Sequence, residues 1–183
     1  MTEAAVRPSS TFVREIEASH VPNVSRCFQC RKCTNGCPLV PEMDYGPNQV
    51  IRMVQLGMKG PLLASRTIWV CASCETCTTR CPNEIDIAGG MDALRQVARA
   101  EGATPAVPAV PVFHKVFLDS IRRFGRVHEL SMLGEYKLRA RDLWSDMGLG
   151  MEMFKRGKIK LLPHAIRGRG EVREIFRKTT GGR

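Results

Sequence analysis

The chain has 183 residues, 43% apolar and 25% charged, with a formal net charge of +10 and eight cysteines. That length admits one medium domain or a small domain with an appendage, and that composition excludes a disordered or collagen-like chain. No run reaches the roughly 20 apolar residues of a membrane span. Residues Met1 to Pro8 show neither an apolar core nor a cleavage pattern, so no signal peptide and a cytoplasmic location are expected.

In chain order, residues 1–10 read as a loose terminus. A short helix follows, with Thr11 as its cap and Phe12, Val13 and Ile16 on one apolar face. The first cysteine cluster occupies 27–38. Pro47 then opens a helix with Val50, Met53 and Val54 on one face and Gly57 just past its end. Pro61 starts a short helical piece running through Arg66. The second cysteine cluster occupies 71–82. Asp86 caps a longer helix with Ile87, Met91, Leu94 and Ala98 inward and Gly102 as its stop.

Residues 103–111 read Ala-Thr-Pro-Ala-Val-Pro-Ala-Val-Pro, and prolines at that spacing predict an extended linker. Beyond it, Val112, Phe113, Val116, Phe117, Ile121 and Phe124 trace a helical stripe ending at Gly125. A weaker helical pattern covers 129–147, and a last short helix is expected at 171–178. No sustained alternating pattern predicts a strand. The fold class is therefore mostly α: a domain over 1–102, a Pro-rich linker over 103–111, and a helical, basic extension over 112–183. The charge is uneven. Residues 155–183 hold ten Lys or Arg against Glu171 and Glu174, or +8, whereas residues 1–154 hold 18 basic and 16 acidic groups, or +2.

In a reducing compartment, eight cysteines point to metal or redox chemistry rather than to a disulfide framework. They fall into two identical motifs, Cys27-x2-Cys30-x2-Cys33-x3-Cys37-Pro38 and Cys71-x2-Cys74-x2-Cys77-x3-Cys81-Pro82. Each cysteine of the first has its partner 44 positions later, since 71 − 27 and 81 − 37 both give 44. Structural zinc uses separated cysteine pairs and needs neither the third cysteine nor the trailing Cys-Pro. A 4Fe–4S cubane has four irons, each needing one outward ligand. In two-cluster ferredoxins, the C-x2-C-x2-C-x3-C-P run gives three cysteines to one cube and sends the fourth to the other. By that rule Cys27, Cys30, Cys33 and Cys81 hold one 4Fe–4S cluster, and Cys71, Cys74, Cys77 and Cys37 hold the second. His20, His114, His128 and His164 are then not needed as ligands.

Small ferredoxins set such motifs among short strands, but here Pro38 to Val70 and the segment after Pro82 read as helices. That resembles the α-helical ferredoxin domain of several multi-subunit dehydrogenases and reductases. Within that group the chain resembles the iron–sulfur C subunit of heterodisulfide reductase. The matching stretches are Cys27-Phe-Gln-Cys-Arg-Lys-Cys-Thr-Asn-Gly-Cys-Pro, Val50-Ile-Arg-Met-Val-Gln-Leu-Gly-Met, Ile68-Trp-Val-Cys-Ala-Ser-Cys-Glu-Thr-Cys-Thr-Thr-Arg-Cys-Pro, and Asp86-Ile. The resemblance is specific over about residues 20–100 and looser near Gly125-Arg-Val-His-Glu-Leu and Gly157-Lys-Ile-Lys-Leu-Leu-Pro. It implies an electron-transfer subunit of an oxidoreductase. Its two clusters would relay single electrons between a flavin-containing partner, the A subunit, and a partner with Cys-Cys-Gly motifs, the B subunit, where a disulfide is reduced.

Absences agree with that role. Only 26 residues, none of them cysteine, precede Cys27, which leaves no 2Fe–2S domain like that of succinate dehydrogenase's iron–sulfur subunit. There is no Cys-Cys-Gly, and no Gly-x-Gly-x-x-Gly for a dinucleotide or flavin. With every cysteine assigned to iron, no thiol nucleophile and no catalytic residue are expected here. A free-standing dicluster shuttle is the alternative. A cluster-based sensor binding nucleic acid is a third reading, but the basic tail lacks interleaved aromatics beyond Phe154 and Phe176, so neither nucleic acid nor membrane is an expected partner. The tail is expected to dock an acidic protein surface, against the alternative of a solvated charge run.

Three finer expectations concern single residues. Arg26, Arg31 and Lys32 flank the first motif, and Glu75 sits inside the second, so the first cluster is expected to have the higher potential unless those side chains are screened by water. Trp69 and Trp144 are expected to pack. Phe113, Phe117, Ile121 and Phe124 are expected to form helix core, or else a face for a neighbouring subunit.

Overall fold

A computed structural model describes residues 10–18, 21, 23–145, 147–158 and 162–180. Most of the terminus expected over 1–10, together with His20, Lys160 and Arg183, lies outside these residues. Among the described residues every regular element is helical and none is a strand, so the fold is mostly α. The chain forms two compact units, 1–108 and 109–183.

The first unit begins with α1 (Ser10–Ala18), whose Phe12 and Ile16, one turn apart, are fully buried. Thr11 lies inside this helix rather than capping it, because α1 begins one residue earlier. Helix α2 (Lys32–Asn35) belongs to the first motif. Helix α3 (Pro47–Gln55) opens at Pro47, where a missing N–H costs nothing, and buries Val50, Ile51, Met53 and Val54. It closes on a left-handed Gly57: the Gly57 N–H reaches the Val54 carbonyl and the Met58 N–H reaches the Met53 carbonyl, both at 2.9 Å. This pair of bonds satisfies two orphan carbonyls at once.

The helical piece expected from Pro61 to Arg66 is divided. Helix α4 (Lys59–Leu63) starts two residues earlier, with Pro61 tolerated in its first turn, and stops at Leu63. A new helix, α5 (Thr67–Val70), follows. The break is fixed from outside: Asp44 accepts the Arg66 N–H at 2.6 Å, and Thr67 Oγ1 both accepts the Tyr45 N–H and donates to the Tyr45 carbonyl. Helix α6 (Thr76–Thr79) carries Cys77, and α7 (Ile87–Ala100) is the long helix expected after Asp86. Asp86 accepts the Gly89 N–H at 2.8 Å, and Ile87, Met91, Leu94 and Ala98 face the core. Burying each of the larger of these side chains contributes about 1.5–3 kcal/mol. Lys59 closes the unit, its ammonium between Glu15 (3.0 Å) and Glu101 (2.5 Å) and over the Phe12 ring.

The second unit holds α8 (Ala109–Phe124), α9 (Glu129–Ala140), α10 (Met147–Lys155) and α11 (Arg169–Thr180). Helix α8 takes in the last three residues of the Pro-rich stretch, with Pro111 in its first turn. It packs against α9 and α11. Of the expected stripe only Val116 is fully buried. Phe117, Ile121 and Phe124 are half-buried, and Phe113 is exposed but meets Tyr136 edge to face with ring centroids 5.6 Å apart. His128 caps α9: its ring nitrogen bonds Ser131 and its backbone N–H donates to Ser120 Oγ. Of the weak pattern over 129–147 only Glu129–Ala140 is helix, since Arg141 turns left-handed and ends α9, and α10 starts at Met147. Trp144, expected to pack, is 77% exposed.

Candidate metal centres

The two motifs fold alike. A short helical turn precedes each, Val24–Arg26 before Cys27 and α5 before Cys71. The chain then makes two left-handed steps at non-glycine residues, at Gln29 and Arg31 in the first motif and at Ser73 and Glu75 in the second. Each left-handed position costs about 1–3 kcal/mol and persists where the surroundings demand it. Turns that alternate hand in this way gather backbone N–H groups into anion-binding concavities. The third cysteine of each motif, Cys33 and Cys77, sits on α2 or α6 and is buried. The second, Cys30 and Cys74, is exposed, and the other four are half-buried. Helices α2 and α6 pack together, and Gly36 leaves the space that the Arg80 side chain occupies.

Each motif borders one cavity. The first is lined by Cys27, Cys30, Cys33 and, from the second motif, Cys81 with Pro82 and Asn83. The second is lined by Cys71, Cys74, Cys77 and, from the first motif, Cys37 with Leu39. The return is pinned by Asn83, whose Nδ2 donates to the carbonyl of Arg26, the residue before Cys27. Polar groups also reach the sulfurs. Gln29 Nε2 donates to Cys27 Sγ at 3.2 Å, the Ile85 N–H donates to Cys81 Sγ at 3.4 Å, and Thr76 Oγ1 lies 3.4 Å from Cys74 Sγ.

The thiols respond to these surroundings. Burial pushes Cys77 up to about 11 and also raises Cys33 and Cys71. At Cys71 the Arg95 guanidinium pulls the other way, while Cys37 and Cys74 add to the rise. Hydrogen bonds from Thr76 lower the exposed Cys74. Three of the thiols therefore hold their protons at neutral pH until a metal displaces them. A tetrahedral zinc draws its thiolates to about 2.3 Å from one point. Among the described residues no three His, Cys, Asp or Glu side chains gather about a single-ion position. Each cysteine set instead rings a cavity, the arrangement a cubane with ligands at four corners requires, and the residues present fit 4Fe–4S clusters.

Reasoning from spacing missed several supporting residues. Arg95 on α7 is only 8% exposed, and its guanidinium donates to the Cys71 carbonyl at 3.1 Å and to Ser73 Oγ at 2.8 Å. The signal was present: Met91, Arg95 and Ala98 share the inward face at i, i+4 and i+7. Thr34 and Thr78, which bond into the starts of α3 and α7, were missed as well. Conversely Arg26, Arg31 and Lys32, expected to bias the first cluster, are exposed, so water screens them.

Residues 26–86 match the 4Fe-4S dicluster domain family. The cysteine region is therefore a helical domain of the 4Fe–4S dicluster type, with cysteines for two clusters. Among the proteins it is similar to are C subunits of heterodisulfide reductases. The chain is 33% identical over 103 residues to the C subunit of the H(2):CoB-CoM heterodisulfide,ferredoxin reductase of Methanothermobacter marburgensis, covering 56% of each protein. It is 34% identical over 86 residues to the iron–sulfur C subunit of the CoB–CoM heterodisulfide reductase of Methanopyrus kandleri, covering 47% of this chain and 45% of that one. It is 34% identical over 94 residues to the C subunit of the ferredoxin:CoB-CoM heterodisulfide reductase of Methanosarcina acetivorans, covering 51% and 38%. The resemblance to the C subunit drawn from the motifs holds over this region, and the matches span about half the length of these relatives. Among the described residues no helix is long and apolar enough to cross a membrane.

Proposed function

We propose that this chain is the electron-transfer subunit of a heterodisulfide-reductase-like complex, with Cys27, Cys30, Cys33 and Cys81 holding one cluster and Cys37, Cys71, Cys74 and Cys77 the other. The observation that carries this reading is the lining of the two cavities, each by three cysteines of one motif and the fourth of its twin. A bound 4Fe–4S cluster supplies a one-electron couple that makes and breaks no bond in the protein. The thiolates anchor it, and the exposed Cys30 and Cys74 mark where each site comes closest to the surface.

In this role the chain takes electrons from a flavin-containing partner and passes them to a partner with Cys-Cys-Gly motifs, which reduces a disulfide. A free-standing shuttle fits less well. Trp144, Leu149, Met151 and Phe154 leave large apolar surface uncovered on the second unit, as partner interfaces do. The test is an anaerobic iron and sulfide assay with EPR of the dithionite-reduced protein. About eight irons per chain and two interacting 4Fe–4S signals support the reading. Stoichiometric zinc without an EPR signal overturns it.

A further inference from the structure

We propose that Arg95 is the buried counter-charge of the cluster held by Cys37, Cys71, Cys74 and Cys77, and makes that cluster the more easily reduced of the two. This rests on the ligand assignment above. The guanidinium is charged at every accessible pH, and burying a cation without a compensating charge is costly. Around Arg95 the compensation is thin. Its hydrogen bonds go to two neutral acceptors, the Cys71 carbonyl and Ser73 Oγ. Its carboxylate partner, Asp92 at 3.4 Å, has a side chain 58% exposed and is screened by water. Met91, one turn earlier on α7, lines the second cavity itself.

The missing negative charge is what the second site supplies when loaded. Four thiolates around an oxidised core give a net charge of about −2. One electron from dithionite, with no proton moved and no bond broken, takes it to about −3. Arg95 stabilises the more negative state further, and its burial limits screening. Among the described residues no buried cation of this kind stands beside the first site. Gln29, which occupies the position of Ser73 in the repeat, bonds the neutral Asn48 instead. Arg26, Arg31 and Lys32 are exposed, so on this proposal the order of potentials is the opposite of the one expected from the sequence.

EPR-monitored potentiometry of the loaded protein tests this, with iron and sulfide measured on every preparation. Arg95→Gln is expected to shift the reduction equilibrium of one of the two couples about tenfold toward the oxidised side, about 59 mV for one electron, while Arg95→Lys, which keeps the charge, restores most of it. Asp92→Asn and Arg31→Gln, both screened at the surface, are expected to move neither couple as far. Unmoved midpoints in Arg95→Gln with iron content intact overturn the proposal, as does a shift in Arg95→Lys as large as in Arg95→Gln. If Arg95→Gln does not retain its iron, Arg95→Lys decides: midpoints close to wild type with iron retained support the proposal, and a shift of about tenfold overturns it. Failure of the ligand assignment itself is read separately: Cys81→Ser and Cys77→Ser would then disturb the same EPR signal.

Discussion

Thr34 and Thr78, related by the repeat, each accept a backbone N–H from the second residue of a later helix: Asn48 to Thr34 Oγ1 at 3.0 Å, and Ala88 to Thr78 Oγ1 at 3.1 Å. Each also donates onward, Thr34 to Asn48 Oδ1 at 2.6 Å and Thr78 to Asp86 Oδ1 at 3.2 Å. A hydroxyl one residue after a buried cysteine thus caps the helix that walls the sites. Thr78→Val keeps the shape and removes the cap, and is expected to cost about 1–2 kcal/mol. Anaerobic urea unfolding followed by circular dichroism measures it, and a loss below experimental error refutes the capping role.

Exchanging Cys81 for serine separates crossed from uncrossed ligation. Under the crossed arrangement, the change in the second motif alters the EPR signal of the cluster built on Cys27, Cys30 and Cys33. Cys77→Ser is expected to alter the other signal. If both substitutions disturb the same signal, the ligands are not crossed.

Burial raises the Cys77 thiol from its ordinary 9.0 to about 11 in the metal-free fold. The folded chain therefore holds a proton that the unfolded chain gives up above about pH 9. The stabilisation from this group is complete below that pH and is lost as pH rises through about 11. Urea midpoints of the metal-free protein are expected to fall across this window. The loaded protein, whose ligand thiols have already lost their protons, is expected to show no such fall.

Gly125 ends α8 at φ +78, and a Cβ there would run into the Ile166 side chain. Gly125→Ala combines a left-handed penalty of about 1–2 kcal/mol with that collision. Thermal unfolding of the loaded protein should show the loss as a lower transition for the second unit. An unchanged melt would mean that the α8 terminus tolerates another conformation.

Trp144→Ser and Phe154→Ser remove exposed apolar surface, so each is expected to change the stability of the isolated protein by less than about 0.5 kcal/mol. Both are expected to weaken co-purification with the flavin-containing and Cys-Cys-Gly partners. Undiminished co-purification places the interface elsewhere.

Much of the first unit was legible because its signals are local. The cysteine spacing, Pro47, the Asp86 cap and the stops at Gly57 and Gly102 each act within a few residues, and the structure has them where the sequence puts them. What stayed hidden depends on partners far along the chain. The break between α4 and α5 is set by Asp44 and Tyr45, more than 20 positions away. Arg95 reads as an ordinary helix cation until Cys71 and Ser73 are beside it. Trp144 was misread because a large aromatic ring normally reports burial within its own chain, whereas here the ring lies open on the surface.

The hydrogen bond from Asn83 to the Arg26 carbonyl has a consequence for assembly. It brings the end of the second motif against the start of the first, so the first cavity has no complete wall until the chain has been made through residue 83. With the ligands crossed as proposed, neither site is a freestanding module that can be loaded before both motifs have been made. A chain cut between the motifs is then expected not to mature even the site whose first three cysteines it retains, and iron insertion to follow synthesis of the whole pair.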